Sequence, residues 1–209
     1  DHCTLLESIR IPDSVKKIGS GAFKDCKSLV AITIPDEVTE IGDDAFMGCE
    51  SLEHVKLPHN LTKIGSGSFH SCYSLESLIL PSGLVEVGNH AFASCRSLTE
   101  ILLPRNVRNI GKWSFHSCGS LETINLPDDI QAIGEGAFSG CDSLKSVKLP
   151  NAITSIERNT FENCSSLTSV HLPDSIVSIG AEAFKFCSEL VEVNIPDRVV
   201  SIGRSAFVD

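Results

Sequence analysis

A repeat solenoid built mostly of β-structure is the fold class this sequence predicts, and three observations predict it. A 23-residue template begins at Cys3, Cys26, Cys49, Cys72, Cys95, Cys118, Cys141, Cys164 and Cys187. The template runs without insertion, so that residues 3–209 are nine times 23. Its apolar residues fall in fixed columns with the spacing of short strands, and no segment has the length of an ordinary helix.

Each column has a reading. The strand segment is Leu-x-x-aliphatic-x-aliphatic-Pro, as in Leu29, Ile32, Ile34 and Pro35. It ends in period-two alternation, which buries one face of a short strand. Proline stops the strand because it has no N–H for the ladder. Pro12-Asp13 and Pro127-Asp128 then read as turn chemistry. A second extended segment follows, Val-x-x-Ile-Gly, as in Val38, Ile41 and Gly42. The spacing predicts a single helical turn over Ala-Phe-x-x-Cys, which returns the chain to the next strand. One repeat alone cannot bury enough apolar surface to offset the entropy of ordering its backbone. Stacked rungs bury each other's faces. Nine rungs at ~4.8 Å make a body ~40 Å long with a parallel sheet on one side.

The net charge of −10 excludes a nucleic-acid binder of the usual basic kind. It also argues against an electrostatic hold on anionic lipid. No apolar run is long enough for membrane insertion. The repeat makes residues 1–209 one domain, expected to be a piece of a longer protein because it starts and stops at repeat edges. The nine cysteines are an odd number in a single column, which suits stacked buried thiols better than a disulfide framework. No cofactor or metal set is indicated. His70 and His116 share a column two rungs apart, too far to bind one ion together. The recurrent Ser column, Ser28 through Ser166, is too regular for a nucleophile and is expected to satisfy turn backbone. No serine or cysteine has a base at a recognisable spacing, so the chain is not expected to be an enzyme.

The fuller pattern, Phe-x-x-Cys-x-Ser-Leu-x-x-Ile-x-Ile-Pro-x-x-Val-x-x-Ile-Gly, resembles the BspA-type leucine-rich repeats over residues 3–209. The resemblance implies a leucine-rich-repeat array with its parallel sheet on the concave face. It also implies an extracellular or cell-surface protein acting in adhesion and binding of host or extracellular-matrix proteins.

Function should lie in the columns that vary. Two outward strand columns flank the first buried aliphatic, and most of their members are polar. Ile79 and Leu102 break that rule on adjacent rungs. With Lys56, Ser77, Glu100 and Asn125 around them, they form an apolar pair with a polar rim, the pattern of a binding patch. Ordinary β-propensity at exposed strand positions is the bland alternative. These six residues are the candidate partner site. The lone Trp113 is expected to pack beside Phe115, and Tyr73 to point away from the concave sheet. Glu157 replaces the recurrent Gly, and is expected to be strained if that column needs a positive φ. Uncapped ends should expose apolar faces and favour end-to-end self-association. The leading expectation is a protein-binding module that uses the concave face. A structural spacer without a ligand is the alternative.

Overall fold

The structure, a computed structural model, describes residues 3–209. It is the expected β-solenoid of stacked, parallel-paired rungs. The strand segment forms three-residue strands at Ala31–Thr33, His54–Lys56, Glu100–Leu102, Thr123–Asn125, Ser146–Lys148 and Ser169–His171. Their central residues point inward and both neighbours point out, which is the period-two expectation. The second segment forms nine two-residue strands, beginning with Lys17–Ile18 and ending with Ser201–Ile202. Pairing is parallel throughout, with a register of one repeat, as in Ile18 with Ile41 and Val147 with Val170.

The parallel sheet expected on the strand face is present but interrupted, and the second segment carries the longer sheet. Six of its strands pair in succession, from Lys17–Ile18 to Ala132–Ile133. The strand face instead holds three separate pairs of strands. Among the described residues, 77–79 form no strand, so the ladder lapses on both sides of the fourth rung.

The expected helical turn is absent. The Ala-Phe-x-x-Cys corner is a series of tight turns, with Cys26 N–H donating to the Phe23 carbonyl and Lys24 N–H to that of Gly21. Two columns there adopt left-handed backbone, with φ of 54–72°. One contains Asp44, His90, Trp113 and Glu182, and the other contains Asp25, Ser71 and Asn163. Alternating left-handed residues break the run of dihedrals a helix needs.

Two ladders run through the interior. The phenylalanine column stacks from Phe23 to Phe207, with centroids 5.2–5.6 Å apart and planes within 13° of each other. Beside it, seven cysteine thiols reach the rung before. Cys49 Sγ donates to the Phe23 carbonyl at 3.1 Å, and the same bond recurs through Cys187 to Phe161. The cysteines are all free; eight are buried and Cys3 is exposed.

The recurrent Gly of Val-x-x-Ile-Gly does not adopt a positive φ. Close approach is its reason. A Cβ at Gly111 would stand 2.5 Å from the Asn89 amide nitrogen, and one at Gly180 2.6 Å from that of Arg158. Glu157 is therefore not strained in φ. Its Cβ instead prevents rung seven from closing on rung six at the usual distance. The six-stranded sheet ends at that step, and a new three-stranded sheet begins at Ser155–Ile156. The strand face is also unpaired there, between Thr123–Asn125 and Ser146–Lys148. The turn corner stays closed, with Gly136, Phe138 and Gly140 amides donating to the carbonyls of Arg158, Thr160 and Glu162 at 2.7–2.9 Å. A cavity of about 340 Å³ opens along the parted segment, bordered by Lys112, Gln131, Glu135, Glu157 and Arg158.

Candidate functional site

Alternation along the strand segment places all six sequence-derived candidates on one exposed face. Lys56, Ser77, Ile79, Glu100, Leu102 and Asn125 are each exposed. Ile79 is 90% exposed and Leu102 68%, so neither side chain is absorbed into the core. The parallel register sets Leu102 beside Asn125 and Glu100 beside Thr123. Ile79 lies one repeat before Leu102, in the rung that forms no strand.

Asn125 is already committed. Its Oδ1 accepts the Leu103 N–H at 2.7 Å, and its Nδ2 donates to the Leu103 carbonyl at 2.9 Å. Elsewhere on this face a backbone carbonyl does that work, as when Ile34 N–H donates to Lys56. The asparagine amide thus imitates a peptide group. The other five side chains are the freer part of the surface.

Sequence reasoning missed the space beside Ile79. A cavity of about 460 Å³ lies between rungs three and four, lined by Val55, Leu57, Ile79, Leu80 and Pro81. The columns of Val55, Leu57, Leu80 and Pro81 recur in every repeat and read as core. The lapse of the ladder at the fourth rung opens them, and no residue in that rung explains the lapse. A broader hollow of about 610 Å³ continues over rungs one to four, reached by Arg10, Thr33, Lys56 and Ile79. Another of about 760 Å³ sits on the same face at rungs seven to nine, with Lys148, His171 and Asn194 on its border.

A second feature lies at the turn corner. His90 stands between His70 and His116, and its ring centroid is 6.2 Å from that of His70. Counting within one column could not find it, because His90 occupies the left-handed column instead. Burial first, and then the neighbouring imidazoles, holds His70 and His90 below the usual histidine value, while Asp44 acts in the opposite direction. Trp113 does not pack beside Phe115 as expected. It is held at a φ of 55°, covers Gly136 and meets His116 edge-on at 5.3 Å. Phe115 stacks on Phe92 and Phe138 instead. At the cysteine corner, the Arg96 guanidinium lies 4.9 Å from the Tyr73 ring centre. Among the described residues, no three His, Cys, Asp or Glu side chains are grouped to hold a metal ion. Among the described residues no helix is long and apolar enough to cross a membrane.

Comparison with known proteins adds to this geometry. The BspA type Leucine rich repeat region matches residues 1–122 and 110–209. The chain is similar to a leucine-rich repeat protein from Bacteroides ovatus ATCC 8483. They are 37% identical with a TM-score of 0.86, over 90% of this chain and 49% of that one. The chain thus spans about half the length of that relative. It is also similar to the T. pallidum Leucine Rich Repeat protein, with 33% identity and a TM-score of 0.65, over 87% of this chain and 77% of that one. A leucine-rich repeat protein from Eubacterium ventriosum ATCC 27560 shares the fold, with 24% identity and a TM-score of 0.67 over 96% of this chain and 64% of that one. No curated protein matches the sequence.

Proposed function

We propose, from the premise that this chain belongs to the BspA-type leucine-rich repeat family, that it is the protein-binding part of a secreted or cell-surface adhesion protein. Its strand face is the binding surface. One observation carries the reading: Ile79 and Leu102 are 90% and 68% exposed on adjacent rungs of a face that is otherwise mostly polar. Exposed aliphatics with a polar rim supply the desolvated anchors of protein interfaces. The partner is a protein, of host or extracellular-matrix origin.

The test is a panel of purified extracellular-matrix proteins immobilised for binding to the chain and to its Ile79→Lys/Leu102→Lys variant. Retention of the parent, with at least tenfold weaker retention of the variant at an unchanged melting temperature, supports the reading; tenfold is about 1.4 kcal/mol. Equal retention of the two, or no retention of the parent, sinks it.

A second reading has its own observation. Val191, Val200 and Ile202 on the ninth rung are 89%, 81% and 51% exposed. That surface favours end-to-end association of copies. A molar mass by light scattering that stays monomeric at high concentration would remove it.

A further inference from the structure

We propose that the strand face receives an acidic amphipathic helix of its protein partner, laid along the solenoid axis, with one apolar side chain seated in the notch beside Ile79. This rests on the strand face being the binding surface.

Spacing argues for a helix. Successive rungs repeat at ~4.8 Å. A helix repeats at 5.4 Å per turn, and its i and i+4 side chains stand about 5–6 Å apart. Two apolar side chains one turn apart therefore meet Ile79 and Leu102 in near register. An extended segment along the axis presents same-side residues every ~6.6 Å and loses register within one rung. Docking of a helix by one apolar row is a common mode of recognition.

Charge argues for acid. The outward column after the buried aliphatic reads Arg10, Thr33, Lys56, Ile79, Leu102, Asn125, Lys148 and His171 along the axis. The apolar pair thus has a lysine one rung before it and another two rungs after it. Both lysines are exposed, and no ion pair holds either among the described residues. In a chain of net charge −10, this is a local cationic column. Carboxylates one turn before the first anchor and two turns after the second would reach these lysines. Beside the apolar pair the opposite edge of the face carries Glu53 and Glu76, while Glu122 further along is ion-paired with Lys145 at 2.6 Å. That edge disfavours carboxylates on the helix's other flank, which fixes the rotation of the helix about its axis. The notch of about 460 Å³, walled by Val55, Leu57, Leu80 and Pro81, is large enough for a leucine or phenylalanine side chain.

The probe is a fluorescein-labelled 18-residue helical peptide with leucines at i and i+4. It carries glutamates one turn before and two turns after them, and an uncharged far flank. Two controls accompany it, one with the glutamates changed to lysine and one with two central prolines that forbid the helix. Anisotropy titrations should show saturable binding of the acidic helix that weakens with salt. They should also show at least tenfold weaker binding of both controls. Lys56→Glu/Lys148→Glu should cost tenfold or more, and Ile79→Glu/Leu102→Glu should abolish binding, with melting temperatures unchanged. Equal binding of the lysine or proline control overturns the proposal, as does no binding by any of the three peptides. If the lysine control binds best and Ile79→Glu/Leu102→Glu abolishes it, the partner chemistry is wrong while the strand face stands as the site. If retention on the matrix panel is indifferent to residues 79 and 102, both readings fall.

Discussion

The Cys118 thiol donates to the Phe92 carbonyl at 3.1 Å, one rung back and across the corner of the template. A sulfur is long enough to span that gap, and its weak S–H adds a second donor to a carbonyl that already accepts the Cys95 N–H at 3.1 Å. The cysteine column is thus a line of hydrogen-bond donors as well as a line of small apolar groups. Its regularity follows from the carbonyl's recurring once per rung.

Burial pushes these thiols up, to about 12 for Cys49, Cys118 and Cys187, so the reactive thiolate is scarce at neutral pH. Ellman's reagent should react rapidly with one thiol per native chain, Cys3. In denaturant all nine should react. Rapid reaction of several thiols in the native protein would contradict the buried ladder.

Ser114 is buried, and its hydroxyl has no hydrogen-bond partner. Ser68, in the same column, donates to the Gly65 carbonyl at 2.8 Å, and five rungs carry alanine at this place in the core. Ser114→Ala should remove an unpaid desolvation cost and stabilise the chain by about 1 kcal/mol. For a domain of this size that is roughly 2–4 °C in melting temperature. A fall in melting temperature would show that the hydroxyl has a partner in solution.

Glu157→Gly removes the Cβ that keeps rung seven from rung six. It also removes the 2.6 Å bond from Ser155 Oγ to Glu157 and loosens the unfolded chain, at a cost of about 0.5–1 kcal/mol. The net effect should be neutral or stabilising. Amide exchange at residues 154–157 should slow as the second sheet becomes continuous. A clear loss of stability with unchanged exchange would mean that another residue parts the rungs.

Acid should weaken the turn corner before it affects the carboxylates. His70 and His90 have folded values below the ordinary 6.5, so the unfolded chain binds more protons as pH falls through that value. Stability is present above about 6.5 and is lost as pH falls from there toward the folded values. Asp44 moderates the loss, while His116 adds to it and Lys24 adds to it at His70. Melting temperature should fall between pH 7 and 5, and His90→Asn should flatten that slope. An unchanged slope would show that the imidazoles do not act on one another.

Much of this fold is legible in the columns. Ile32, Ile34, Pro35, Ile41 and Phe46 each do what their spacing requires, because burial and period are written once per repeat and read nine times over. The left-handed corner is not legible. It is occupied by residues as unlike as Asp44, His90 and Trp113, and neighbouring rungs impose its backbone whatever the side chain. Gly111 shows the same limit differently, since its role is set by an atom 22 residues earlier in the chain. In the candidate site, the exposure of Ile79 and Leu102 followed from alternation. The notch beside Ile79 depends on a missing ladder, and the commitment of Asn125 depends on a bond to Leu103. Neither leaves a mark in composition.

The step between the sixth and seventh rungs has a mechanical meaning. A rod of identical stacked units under tension shares the load evenly, but this rod does not have identical joints. Of the eight joints between nine rungs, this one alone among the described residues lacks strand pairing along both segments, while its turn corner stays closed through the Gly136, Phe138 and Gly140 amides and the Phe138–Phe161 stack. A pull along the axis meets the fewest strand hydrogen bonds at that joint. The residue at that joint is Glu157, where the neighbouring rungs carry Gly134 and Gly180.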